Sequence, residues 1–172
     1  MVPLIGALGA LMVIAFGASR TLYSLLPFVA LLGAVTVIDL RELRVPNKLV
    51  GPAAILGVPL LLIASTADWS NLSFGRALLG AAGMGAGYFV LALIYPAGMG
   101  LGDVKLSPII GAQLALFGWV PFWRGLLGAF LIIGPVAIVL LLLRKAGKQT
   151  GLPFAPFMAA GAVAALALEG FV

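Results

Sequence analysis

The chain has 172 residues, of which 63% are hydrophobic and 9% charged, with no Cys and no His. A soluble domain carries roughly 25% charged residues, so a water-solvated globule is excluded and the bilayer must be the solvent for most of the chain. Disulfides, Cys-ligated zinc, thiol chemistry and imidazole general-base catalysis are excluded as well.

Seven windows contain no Asp, Glu, Lys or Arg: 1–19, 21–38, 49–67, 77–102, 106–123, 125–143 and 149–168. A transmembrane helix needs about 20 mostly apolar residues. The expectation is an all-α, polytopic membrane bundle of six to seven transmembrane helices. Polar connectors are short, and no soluble domain, internal repeat or low-complexity tail interrupts them. Residues 1–172 therefore read as a single integral-membrane domain.

The first window lacks a Lys/Arg-rich start, and no Ala-x-Ala site followed by a soluble domain comes after it. It reads as a retained helix and not as a cleaved signal peptide. The second window ends at Asp39, and Arg41, Arg44 and Lys48 follow. Pro46 then closes the helix-compatible stretch and, with Asn47, sets up the third window. The fourth holds Gly80, Gly83 and Gly87; Gly83-Met-Gly-Ala-Gly87 is a G-x-x-x-G match, read as close packing inside the bundle rather than as a dimer seam. Before the fifth stands Gly100-Leu101-Gly102-Asp103-Val104-Lys105. Arg144, Lys145 and Lys148 follow the sixth, and Pro153 and Pro156 fall in the first turns of the seventh.

Loop charge sets orientation. Alternate connectors carry seven basic residues (Arg41, Arg44, Lys48, Lys105, Arg144, Lys145, Lys148) against three (Arg20, Arg76, Arg124) on the other side. By the positive-inside rule the first set is cytoplasmic, with the N-terminus inside and the C-terminus outside. Trp69, Trp119 and Trp123 fall at the predicted outer ends, where an amphipathic ring belongs. The net charge of +5 is thus a topology and lipid-headgroup signal, not a nucleic-acid footprint.

Asp39 and Asp103 are then at the same membrane face. A carboxylate beside a bilayer is costly and normally has a partner or a task. Aspartyl hydrolysis needs two carboxyl groups that share a proton: one takes a proton from water, the other donates to the carbonyl oxygen or the leaving amine. Like charges a few ångströms apart cannot both ionise cheaply, so the two titrate as a pair. The flanking Gly-x-Gly lets the backbone take φ > 0 and lets a substrate strand approach. Taken singly, Asp103 also suits a helix N-cap, and Asp39 a helix-end charge paired with Arg41 or Arg44.

Three segments resemble the motifs of the type IV prepilin peptidases. Asp39-Leu-Arg-Glu-Leu-Arg-Val-Pro-Asn47 is similar to their first aspartate motif. Gly98-Met-Gly-Leu-Gly-Asp103-Val-Lys105 is similar to their G-x-G-D-x-K motif, and Leu152-Pro-Phe-Ala-Pro-Phe157 to their C-terminal Pro-Phe segment. The resemblance implies a membrane aspartic endopeptidase with Asp39 and Asp103 as catalytic pair and the whole of 1–172 as one peptidase domain. It implies cleavage of the basic leader from prepilin or pseudopilin precursors at the cytoplasmic membrane face, without metal or organic cofactor. Gly100, Gly102, Lys105, Pro46, Asn47, Pro153 and Pro156 are supporting positions: Lys105 as a contact to a carboxylate or substrate, or else a topology charge; Asn47 as a site hydrogen bonder or a cap; the prolines as a cleft rim or a helix entry. The larger bacterial enzymes add a cytosolic region with paired Cys and a methylation step. The 172 residues contain neither, which argues against N-methyltransferase activity and for the short form serving Flp-type, tight-adherence or related filaments. Two rivals remain: a small proton-coupled transporter, which predicts acids near the bilayer midplane, and a non-catalytic pilus or secretion scaffold.

Overall fold

The computed structural model describes residues 2–17, 22–42, 50–52, 55, 71–94, 96, 99–143 and 153–171. Its elements are α1 (Val2–Phe16), α2 (Leu22–Glu42), α3 (Asn71–Ile94), α4 (Leu101–Phe117), α5 (Trp119–Leu142) and α6 (Ala155–Gly170). No strand occurs among the described residues. The all-helical bundle expected from the charge-free windows is what forms. The third window lies almost wholly outside the described residues, as do Pro46, Asn47 and Trp69.

Three stretches are long and apolar enough to cross a bilayer: Ser24–Glu42, Phe74–Ile94 and Trp119–Val139. Pro3–Phe16 and Ala155–Gly170 are shorter apolar helices. The windows overestimate helix length because they see charge but not backbone chemistry. The fifth window was bounded by Arg124, yet the chain breaks at Gly118, whose φ of +147° only Gly adopts freely. Pro121 then sits in the first turn of α5, where its missing N–H does no harm. Arg124 therefore lies inside a helix, paired with Glu169 of α6 at 3.1 Å.

Two close-packed helix pairs organise the bundle. α3 lies against α4 through Gly80 and Gly111, where a Cβ on either would meet the other's backbone carbonyl. Such backbone contact is how apolar helices associate without a hydrophobic driving force. Gly83 and Gly87 are not part of it. They are exposed, with no described atom within 4 Å of an added Cβ, which overturns the packing role expected of the G-x-x-x-G match. The contact stripe instead runs through Ala77, Gly80, Met84 and Tyr88, spaced by three, four and four residues along one face of α3.

Arg76, expected in a connector, lies in the second turn of α3 and completes this pair. Its Nε donates to Ala115 O at 2.7 Å and an Nη to Leu116 O at 2.9 Å. These are carbonyls of the last turn of α4, which no intrahelical N–H can reach. A cation there also complements the negative end of the helix.

The second pair is α5 with α6, again through small residues: a Cβ on Gly161 would strike the backbone of Gly125 and Ala129. α6 is the hub of the fold, packed against α1, α2, α4 and α5. Its buried positions are mostly Ala and Gly, so four neighbours can approach it. α5 turns the opposite side outward, with Leu131, Ile138 and Leu142 exposed, as suits a lipid-facing surface.

Candidate active site

α2 and α4 run antiparallel, so the C-terminal end of α2 and the N-terminal end of α4 lie together. At the far end they are tied by a buried hydrogen bond from Gln113 Nε2 to Ser24 Oγ, 3.3 Å. At the near end each presents an acid. Asp39 is 4% exposed and Asp103 is 6% exposed, and the two carboxyl groups are within electrostatic range of each other. The expectation that these two residues share one end of the bundle is met by the fold itself. Trp119 and Trp123 open α5 at the opposite end.

Asp39 is held by a helix terminus. Its Oδ2 accepts the backbone N–H of Ala155 at 3.2 Å. Ala155 is the first residue of α6, and its N–H is one of the donors that a helix leaves unpaired. Pro156 has no N–H to satisfy, and the amides of Phe157 and Met158 both donate to Phe154 O. The Pro-Phe-Ala-Pro-Phe segment thus starts a helix whose one available donor meets a carboxylate from another helix, at the end where the dipole favours negative charge. Arg41 is exposed and makes no ion pair with Asp39 among the described residues.

Asp103 is the third residue of α4, not its cap. The cap position is Gly100, with φ −71° and ψ 141° and no side-chain capping bond. The Asp103 N–H donates to Gly100 O at 3.0 Å, and its carboxylate reaches back to the Gly100 amide, the return arm of a capping box. The left-handed backbone expected of Gly-x-Gly is absent at Gly100. Its lack of a side chain matters for closeness instead: an added Cβ would stand 3.3 Å from Asp103 Oδ2.

The supporting positions divide. Gly102 is half-buried in the first turn beside Asp103. Lys105 is exposed and lies two residues on from Asp103, roughly 200° around the helix, so the two side chains leave α4 on different faces. Pro153 and Pro156 are half-buried at the entry to α6, where they set the helix start that meets Asp39.

Residues that the motifs did not single out complete the surround. Tyr88 of α3 is 1% exposed and lies within electrostatic range of Asp103. Its ring packs against Phe130 of α5 and Phe154 at the entry of α6, both at 5.8 Å between centroids, and those two rings are 5.5 Å apart. Tyr88 is the sole polar side chain between residues 77 and 94, a signal the sequence did offer. Phe130 carried none, because one Phe in an apolar helix looks like any other.

The arrangement can hold one proton between two carboxyl groups in a largely dry setting, and so present an acid and a base together. Among the described residues no group of three or more His, Cys, Asp or Glu gathers as a metal site would require.

Comparison with known proteins agrees with the motifs. The profile of the type IV leader peptidase family matches residues 26–143, which include both aspartates. The prepilin leader peptidase/N-methyltransferase of Bacillus subtilis (strain 168) is 34% identical over 157 residues, covering 88% of this chain and 58% of that protein. The protein of the same description from Aeromonas hydrophila is 36% identical over 147 residues, covering 77% of this chain and 45% of its own. That from Pseudomonas putida is 31% identical over 155 residues, 88% and 52% respectively. The chain spans about half the length of the curated relatives it matches. No solved structure matches it at a significant level.

Proposed function

Since the chain belongs to the type IV leader peptidase family, we propose that it is a membrane aspartic endopeptidase that removes the basic leader from prepilin-like precursors, those of Flp or tight-adherence type included. The single observation that carries this reading is that Asp39 and Asp103, both buried, lie within electrostatic range of each other at one end of the bundle.

The chemistry follows from a shared proton. The ionised carboxylate takes a proton from water as the water oxygen bonds to the scissile carbonyl carbon. The protonated partner gives its proton to the carbonyl oxygen, leaving a tetrahedral diol. The C–N bond then breaks as a proton passes to the amine nitrogen, and the products are a leader carboxyl group and a new N-terminal amine. Atoms balance with water as the only co-reactant, and no metal or organic cofactor enters. Each carboxylate accepts one backbone N–H, Asp39 from Ala155 and Asp103 from Gly100. Asp103 Oδ1, however, is buried with no partner among the described residues, so the negative charge is better supported on Asp39. The natural assignment makes Asp39 the base and Asp103 the acid at the start of the cycle.

Of the two activities named for the relatives, the carboxylate pair serves only hydrolysis. The cytoplasmic placement is supported by the seven-to-three distribution of basic residues and by Trp119 and Trp123 at the end opposite the acids. The precursor's apolar segment would lie among the helices, with the leader junction unwound at the acids.

The test is Asp39→Asn and Asp103→Asn, each co-expressed with a prepilin. Both variants should insert and accumulate yet leave the precursor whole. Normal cleavage by either stably inserted variant would reject the assignment. A proton flux in vesicles that depends on these acids would favour transport instead.

A further inference from the structure

Two buried polar side-chain atoms have no hydrogen-bond partner among the described residues: Tyr88 Oη and Asp103 Oδ1. Both belong to the same neighbourhood. Buried polar groups in folded proteins are almost always paired, and an exception calls for a reason. For Asp103 the endopeptidase reading supplies one. For Tyr88 nothing yet does.

Packing does not need the hydroxyl. The Tyr88 ring is fixed by Phe130 and Phe154, each 5.8 Å away between centroids, and a Phe would make the same ring contacts. The hydroxyl adds only a desolvation cost where it stands. Its surroundings are nonetheless specific. Phe154 is followed by Ala155, whose N–H holds Asp39 at 3.2 Å, and the phenol is within electrostatic range of Asp103. Tyr88 therefore stands between the aromatic wall and Asp103, its one donor unpaired among the described residues.

We propose that Tyr88 is a third catalytic group, its phenol O–H donating a hydrogen bond to the scissile carbonyl oxygen as that oxygen gains charge under attack by water. The inference rests on the endopeptidase reading of the same site. The phenol proton stays on Tyr88 throughout. Water still loses its proton to one carboxylate, and the other still protonates the carbonyl oxygen. What Tyr88 adds is a neutral donor held ready by Phe130 and Phe154, so no reorganisation is needed when the charge develops. The rings keep that donor dry, which strengthens it. An oxyanion donor removed from other enzymes lowers kcat by about 10²- to 10³-fold. Here the protonated aspartate already serves the same oxygen, so the expected loss is smaller, roughly 10- to 100-fold.

The experiment uses the full chain in proteoliposomes and a synthetic precursor with a basic leader, a Gly and an apolar segment of about 20 residues. Wild type, Tyr88→Phe and Asp103→Asn are compared for kcat, KM and thermal stability. The expected result for Tyr88→Phe is a kcat lower by roughly 10- to 100-fold, a KM within about threefold, and a melting temperature unchanged or higher. Full kcat in Tyr88→Phe beside an inactive Asp103→Asn would overturn the role of Tyr88 and leave the endopeptidase standing. A raised KM at unchanged kcat, or a drop in melting temperature matching the loss of rate, would also overturn it. Activity in Asp103→Asn would remove the reading on which the inference rests.

Discussion

Gly100→Ala is the sharpest probe of how closely Asp103 is positioned. The added Cβ would sit 3.3 Å from Asp103 Oδ2. Relaxing that pair to an ordinary contact of about 3.6 Å moves the carboxylate by ~0.3 Å. A misplacement of 1 Å costs about 10²-fold in rate, so ~0.3 Å costs about fourfold. That is ~0.8 kcal/mol in the barrier. Gly100→Val carries two further carbons toward the same oxygen and should lose at least ~tenfold. Neither change should unfold the helix, because φ −71° and ψ 141° are open to any L-residue. The weaker N-cap is roughly offset by the lower entropy of the unfolded chain. Single-turnover cleavage of a saturating precursor in proteoliposomes, beside a melting curve, reads both quantities. Wild-type rates in both variants would refute the claim that Gly100 is small for the sake of Asp103.

The remaining predictions concern the scaffold. Arg76→Ala removes both donors from the end of α4 and should cost ~2–3 kcal/mol in denaturant titration of mixed micelles, with Arg76→Lys intermediate. Gly111→Ala pushes α3 off α4 and should cost about 1–3 kcal/mol by the same titration. Gly83→Ala, on an open face, should be neutral or stabilising by up to ~1 kcal/mol. Arg124→Ala breaks a pair whose side chains are 48% and 28% exposed, and should change stability by no more than about 1 kcal/mol.

Much of this was legible in the sequence, for physical reasons that can be named. Charge avoidance is enforced by lipid at every residue of a span, so the helices could be read from gaps between charges. Asp39 and Asp103 stood out because acids are rare in such a chain, and topology alone put them at one end. The misreadings share a cause. Arg76 and Arg124 looked like connector charges, but each found a partner on a neighbouring helix, and partners distant in sequence leave no local trace. Gly83 and Gly87 formed the better-known pattern, yet Gly80 made the contact, because the facing helix decides which small residue is used. Asp39 was expected to pair with Asp103, or else to stand as a helix-end charge beside Arg41 or Arg44. What the sequence did not show is its bond to a backbone amide 116 positions away, which no pattern of side chains encodes.

The dependence of Asp39 on the amide at the head of α6 has a consequence for biosynthesis. A ribosome delivers α2 and α4 to the membrane well before residue 155 leaves the exit tunnel. Until it does, Asp39 has no donor, Phe154 cannot wall in Tyr88, and the hub against which four helices pack is missing. On the endopeptidase reading the acid pair should therefore stay inert until α6 docks, so that no half-made copy cuts polypeptides entering the bilayer beside it.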